Sequence, residues 1–203
     1  MIGRQVAWLV GIRVVESQEM TAERPASELI DPRGHAAVLG GGMAGQLAAQ
    51  ALADAFEHVV IIERRHVDVT GPPVVRLENV EMLVGCDAVG LVGQAGRCVG
   101  VQVLSRSRSA AVRTIPAELV VDAMGVSSRL RLWLADSWPV LPTGVIAIGD
   151  SLCRLDWPAS RSLDQATVHV AVLQDLLREG GPNDSGRRSD LLSRRYFDAV
   201  MRA

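Results

Sequence analysis

The sequence has no lysine: all 21 of its basic residues are arginine. A P-loop phosphate lysine, a Schiff-base lysine and a Ser/Lys catalytic pair are therefore excluded. The bias accompanies abundant Ala, Gly and Val, and a GC-rich coding composition accounts for it without any appeal to function. Cysteine is also scarce. Cys86, Cys98 and Cys153 are too few and too far apart for a disulfide framework or a zinc cluster, so a reducing, cytoplasmic setting is expected. No excess of one charge exists: 21 basic residues face 23 acidic ones, for a net charge of -2. A nucleic-acid partner, which needs a basic footprint, is not expected. Long hydrophobic runs are missing as well. The stretch Val6 to Val15 is broken by Arg13 and is far shorter than the ~20 residues of a membrane span. No small-residue cleavage pattern follows it, so neither a membrane anchor nor a secretory signal is expected.

What is present is enough apolar material for one core. The 203 residues are 48% hydrophobic, with a mean hydropathy of +0.20, and disorder is excluded on that composition. Residues 1–34 are polar from Glu16 onward, carry Pro25 and Pro32, and are expected to form a loosely structured extension. A strand is predicted over His35 to Leu39, then a glycine turn, a helix over Met43 to Phe56 and a second strand over His58 to Glu63. The second run is short and almost wholly apolar, as strands covered on both faces are. A third strand is expected over Asn79 to Val84. Three further β segments, Ala88 to Val92, Cys98 to Leu104 and Ala111 to Ile115, read as a meander with a hairpin turn at Gly93 to Gly96. Leu119 to Asp122 and Gly144 to Gly149 are apolar runs that end in Gly/Asp loops, where open α/β sheets bind ligands. Two helices, Leu163 to Arg178 and Arg188 to Arg202, finish the chain. The second carries an apolar stripe of Leu191, Leu192, Phe197, Val200 and Met201 that could dock on the body or on a partner. The expected division is thus an extension over 1–34, an α/β domain over 35–178, and a linker with an amphipathic helix over 179–203.

Gly40, Gly42 and Gly45 spell G-x-G-x-x-G between a strand and a helix, with Met43 and Ala44 inside the turn. Glu63 follows 23 residues after Gly40, at the end of the next strand. This is the setting a dinucleotide fingerprint requires. The first glycine permits the tight turn, the second lets backbone approach a diphosphate, and the third allows the helix to lie close to the sheet. The diphosphate then meets the helix N-terminus, whose N–H groups and dipole favour negative charge. A carboxylate at Glu63 suits ribose hydroxyls and repels a 2′-phosphate, leaving FAD or NAD as the ligand.

Three blocks choose between these two. Gly34 to Gly45 with Ile61-Ile-Glu-Arg64, Ala117-Glu-Leu-Val-Val-Asp122-Ala-Met-Gly125-Val-Ser-Ser128-Arg129-Leu130, and Gly144-Val-Ile-Ala-Ile-Gly149-Asp150-Ser151 occur in that order. Together they resemble FAD-dependent monooxygenases of the aromatic-hydroxylase and squalene-epoxidase type. The resemblance covers about Gly34 to Arg178. It implies an α/β fold: a Rossmann-like FAD-binding domain with a central, mostly parallel sheet and a small β-meander crossover. It implies that Gly40, Gly42, Met43, Ala44 and Gly45 cradle the FAD diphosphate, that Glu63 and Arg64 hold the adenosine end, and that Ala88 meets the adenine. Asp122 and Gly125 fall in the second flavin loop, and Gly149 and Asp150 at the ribityl chain. NAD(P)H is the electron donor such chemistry admits, and a small organic or polyketide-like molecule its substrate.

The sequence departs from this pattern in two ways. His66 to Pro73 and Arg131 to Thr143 stand where relatives carry long insertions, so the substrate domain is largely missing. Ser160 and Ser162 replace the two glycines of the loop beside the flavin ring. No side chain is an evident acid or base, and no catalytic residue is assigned. A second reading stays open: a noncatalytic or remodelled flavoprotein-like module, whether a pseudoenzyme, a cyclase on a FAD scaffold, or a subunit completed by a second copy or a partner chain. A third, a serine hydrolase using Ser151 of Gly149-Asp150-Ser151-Leu152, lacks a base at suitable spacing, the nearest pair being Asp164 and His169. The four histidines have no metal-spaced partners and are expected to be structural or solvated.

Overall fold

The computed structural model describes residues 11–16, 32–65, 76–107, 111–138, 142–153, 155, 163–179 and 185–202. Strand β1 spans Gly11–Glu16, β2 His35–Leu39, β3 His58–Glu63, β4 Arg76–Val84, β8 Leu119–Asp122 and β9 Val145–Ala147. These six make one sheet in the order β1-β4-β3-β2-β8-β9, and every pairing within it is parallel. Strands β5 (Cys86–Gln94), β6 (Arg97–Ser105) and β7 (Val112–Pro116) form a separate antiparallel meander. Gln94 pairs with Arg97 across the two-residue turn Ala95-Gly96, whose φ angles of 51° and 77° give the primed geometry that matches strand twist. The α/β class with a parallel sheet and a β-meander crossover is therefore the observed architecture.

The chain order reverses at β2. The path runs from β2 through helix α1 (Met43–Ala53) to β3 on one side, whereas β8 returns on the other. The carboxyl ends of β2 and β8 consequently flank a topological switch point, the place where such sheets leave a crevice. Helix α1 turns Gly45, Gln46, Ala48, Ala49, Ala51 and Leu52 inward. That small-residue face lets it lie close to the sheet, and the Asn79 side chain of β4 donates to the carbonyls of Ala53 and Phe56 at 2.7 and 2.9 Å, satisfying its C-terminal end. Helix α4 (Leu163–Glu179) packs on α1, and the meander meets β3, β8 and β2 through β5, β6 and β7. Strands β2, β3 and β8 are buried along almost their whole lengths, as strands covered on both faces must be.

One sequence expectation is corrected. Residues 11–16, placed in a loose extension, form the edge strand of the sheet in parallel with β4, with Val15 buried and Arg13 and Glu16 in solvent. Two adjacent β-branched valines flanked by charge suit an edge position. Residues 1–10 and 17–31 lie outside the described residues. The segment Arg131 to Thr143 contains helix α2 (Leu130–Ser137), which makes the crossover from β8 to β9. The last helix, α5 (Ser185–Val200), docks on the body, one of the two places open to its apolar stripe. Leu192, Tyr196 and Phe197 join the same apolar cluster as Leu173 and Leu177 of α4, whereas Leu191 and Met201 of the expected stripe point to solvent.

Helix α5 is attached by polar contacts too. Ser193 Oγ accepts the Gly144 N–H at 3.0 Å and the fully buried Tyr196 hydroxyl donates to the Ala147 carbonyl at 2.9 Å. Burial raises the Tyr196 phenol well above its ordinary value, so it remains a donor at all working pH. Tyr196→Phe should leave that carbonyl unpartnered and cost about 1–3 kcal/mol, measured by urea denaturation with an unchanged far-UV spectrum.

Candidate functional site

The cleft at the switch point begins where β2 ends. The Gly40 N–H donates to the Ile62 carbonyl at 2.8 Å, and the residue then takes a left-handed φ of 102°. A Cβ at Gly40 would lie 2.7 Å from the Ala123 carbonyl oxygen, and one at Gly45 would lie 1.9 Å from the carbonyl oxygen of Gly40. Neither position admits a side chain without moving backbone. Gly42 forms the N-cap of α1 in extended conformation with no side chain over the helix end, so the first turn presents bare backbone.

Glu63 closes the turn from the neighbouring strand. Its Oε2 accepts the Gly41 N–H at 2.7 Å and its Oε1 accepts the Arg65 N–H at 2.8 Å. The Gln46 side chain braces the same loop by donating to the Gly41 carbonyl at 2.9 Å. Above these groups opens a cleft of about 400 Å³. Of the residues singled out in the sequence, Gly40, Gly42, Glu63, Arg64 and Ala88 line it, and the opposite wall comes from Ala123, Met124, Ser127 and Arg129 after β8. Asp87 and three arginines also border it. Arg64 lies 3.8 Å from the Asp87 carboxylate, which Arg106 holds at 2.9 Å on its other oxygen. Arg65 and Arg129 add positive charge to the cleft.

Asp122, Gly125, Gly149 and Asp150 form a second group beside the cleft and do not line it. Asp122 is fully buried. Its Oδ1 accepts the Met124 N–H at 2.9 Å and the Ser151 hydroxyl at 3.0 Å, and its Oδ2 accepts the Ser128 hydroxyl. Ser151 Oγ in turn accepts the Gly125 N–H at 2.7 Å. Burial raises the Asp122 carboxyl above its ordinary value, against the pull of the Ser128, Met124 and Ser151 hydrogen bonds. This aspartate fixes the loop after β8 to helix α3 (Asp150–Cys153) and is withdrawn from direct contact with the cleft. Asp150 sits beside Gly125, and Ala44 beside Gly149, while the Met43 side chain is half exposed at the start of α1. Ser160 and Ser162 lie outside the described residues.

The hydrolase reading fails on this geometry. Ser151 is fully buried and committed to Asp122 and Gly125, and the Nδ1 of His169 accepts the Gly149 N–H at 3.0 Å. A nucleophile needs an exposed oxygen and a base in reach. His169, expected to be structural or solvated, is structural: it is buried and holds the Gly149 N–H, and Ser128 and Ser151 likewise hold the loops beside the cleft. Only Ser128 and Ser151 carried a signal in sequence, through their places in the Asp122 and Asp150 blocks. Among the described residues no group of three or more His, Cys, Asp or Glu is arranged to hold a metal ion, and no helix is long and apolar enough to cross a membrane.

No protein-family model matches the chain, and no curated protein matches it. Solved structures do. A geranylgeranyl bacteriochlorophyll reductase-like protein from Thermoplasma acidophilum superposes with a TM-score of 0.56 at 12% identity, over 83% of each chain. The THI4 protein of Thermovibrio ammonificans gives 0.48 at 15% identity, over 83% of this chain and 89% of that one. A myxobacterial chondrochloren halogenase, a variant FAD-dependent halogenase, gives 0.37 at 14% identity; the match covers 47% of this chain and 38% of the halogenase. The first of these shows a shared fold: the Rossmann-like parallel sheet with its antiparallel meander.

The buried polar cluster makes a prediction. Ser151→Ala removes one donor from Asp122 and leaves the Gly125 N–H without its acceptor, at a cost of about 1–3 kcal/mol. Because the lost hydroxyl favoured the ionised carboxylate, the deficit should be largest at neutral pH and shrink as pH falls through the carboxyl's raised folded pKa. Denaturation midpoints across that range check both signs.

Proposed function

We propose that the chain is a FAD-binding flavoprotein of the oxidoreductase type. The observation that carries this reading is one cleft holding both halves of an adenine-dinucleotide site: the side-chain-free Gly40–Gly45 turn at a helix start, and a buried carboxylate at the end of the adjacent strand. The residues fit the group. Backbone at Gly42 and the start of α1 would face the diphosphate, and the positive charges of Arg65 and Arg129 border the same space. Each Glu63 oxygen accepts one backbone N–H and keeps capacity for a further donor, enough for the two hydroxyls of an adenosine ribose. Ala88, on the meander side, offers a flat backbone edge to the adenine.

When bound, the flavin supplies hydride or single-electron transfer. The chain's own contribution is to bind and to orient. Asp122 and Ser151 hold the Gly125 loop against α3, and Glu63 keeps the glycine turn closed. Of the ionisable side chains lining the cleft, Glu63 is engaged by backbone N–H groups and Asp87 by Arg64 and Arg106, burial pushes the Cys86 thiol up, and the rest are arginines, so no proton donor or acceptor for a substrate is assigned. The finer reading is a monooxygenase-type reaction on a small organic or polyketide-like molecule, with NAD(P)H as reductant. It is supported by the order of the three sequence blocks.

One observation favours a second reading, in which another chain completes the site. Among the described residues the path from β8 to β9 carries a single 3-10 turn, Gly125–Ser127, and α2, and Val126 and Leu132 stand 64% and 63% exposed beside the Ser127 and Arg129 wall. A substrate pocket there would need a second copy or a partner subunit to cover it.

Absorbance of the freshly purified protein, followed by titration with FAD and with NAD, tests the proposal. The visible bands of oxidised flavin, or saturable uptake of FAD, are expected; a colourless protein that takes up neither nucleotide overturns it. Glu63→Gln places an NH₂ group against one of two backbone donors and weakens ribose recognition. It should raise the FAD Kd by about ten- to a hundredfold, from the ~1.5–3 kcal/mol of a charge-assisted hydrogen bond.

A further inference from the structure

The turn that ends β9 is held by side chains from two directions. Gly149 has a left-handed φ of 55°, and its N–H points at Nδ1 of His169, 3.0 Å away on α4. Two residues on, Ser151 ties the start of α3 to Asp122 and Gly125. The turn fills a corner between helices: a Cβ on Gly149 would stand 3.4 Å from the Ala166 methyl and 4.0 Å from that of Ala44, beside the glycine turn of α1. His169 itself is buried, with 3% of its surface exposed.

A backbone N–H can be accepted only by an unprotonated ring nitrogen. The geometry therefore fixes His169 as the neutral tautomer with its proton on Nε2. A second proton would set N–H against N–H at the same separation, and the turn would have to move away. We propose that His169 is a positioning residue whose neutral imidazole holds the Gly149–Asp150 turn against the start of α1, so that acid loosens this side of the ligand site. The consequence for flavin affinity rests on the FAD reading above; the restraint on the turn does not.

The surroundings set the direction of the effect. Helix α1 has no ionisable residue between Met43 and Ala53. Asp150 is the acidic residue of α3. The buried Asp122 reaches this region through Ser151. On α4 itself Asp164 and Asp175 lie five residues before and six after His169. Helix α5 contributes Arg194, Arg195 and Asp198, of which Arg195 pairs with Glu179 at the distal end of α4. Burial is the cause that acts on the ring, and it lowers the pKa below the ordinary 6.5. The restraint is therefore complete above the ordinary value and is lost as pH falls through the lower, folded one.

Amide hydrogen exchange on the full chain tests this, corrected for intrinsic rates and followed from about pH 8 to pH 5. In the wild type, protection of the Gly149 amide should fall at least about tenfold across the range, while sheet amides at Val38 and Val121 hold theirs. In His169→Asn, whose carbonyl oxygen accepts at either pH, protection should be independent of pH. In His169→Leu it should be low throughout. A wild-type Gly149 amide whose protection does not change with pH, or a His169→Asn variant that tracks the wild type, overturns the proposal; this comparison stands even if His169→Leu does not fold. FAD titration at both ends of the range should show affinity falling in acid for the wild type and less so for His169→Asn. If FAD binds at no pH while Gly149 protection still follows the histidine, the positioning role holds and the flavin reading falls.

Discussion

The carbonyl oxygen of Gly40 occupies the space that a side chain at position 45 would need. This contact decides how close the first helix comes to the sheet, and the rest of the site inherits its dimensions from that approach. With helix α1 drawn in, its bare first turn lies at the carboxyl end of β2, where Glu63 from β3 can reach back and bind the Gly41 N–H. The loop after β8 closes the other side, its Ala123 carbonyl oxygen 2.7 Å from where a Cβ on Gly40 would stand. Three neighbouring strands thus meet at a point where only hydrogen atoms fit. Such close packing tolerates no added methyl group without displacement of backbone, which is why glycine carries the geometry and polar side chains merely secure it.

Around that point the polar groups divide by task. Glu63, Arg64, Arg65 and Arg129 border open space and have charge or lone pairs to offer a ligand. Asp122, Ser128, Ser151 and His169 are buried and spend theirs on the protein's own loops. The buried set is costly to assemble, because each group surrenders water, and its near-complete mutual satisfaction is what makes it tolerable. In return, loops that would otherwise sample many conformations are held in one. A rigid rim is what a site built largely from backbone donors needs, since those donors cannot adjust one at a time.

Much of this was legible in the sequence because it rests on local rules. The glycine turn, the acidic strand end and the apolar runs of β2, β3 and β8 follow from spacing and burial, and the parallel sheet follows from them. The contacts that local rules do not reveal depend on distant partners. Asp122 is read from sequence as part of the second flavin loop; its carboxylate turns inward because Ser128 and Ser151, six and 29 residues later, supply donors there. His169 carried no motif, and its role appears only when the fold sets α4 against the end of β9. Strand β1 is hard to read from sequence because an edge strand needs few buried residues; among its described side chains Val15 is buried and Val14 partly so. Helix α5 reads as amphipathic, and Leu192, Phe197 and Val200 of its stripe face the core; Tyr196 and Ser193 join them because Ala147 of β9 offers a carbonyl and Gly144 just before it an N–H.

That last attachment bears on how the molecule comes into being during translation. Strand β9 is only three residues long and borders a single strand, β8. Its outer neighbours at Ala147 and Gly144 are side chains located 49 residues further along the chain. A nascent polypeptide can therefore assemble β2, β3, β4 and β8 early, yet one margin of the sheet stays unsealed until Tyr196 has left the ribosome. The cleft, which adjoins β8, then gains a firm outer border only once Tyr196 has emerged, and a product stalled before that point would expose the apolar face that α5 normally conceals.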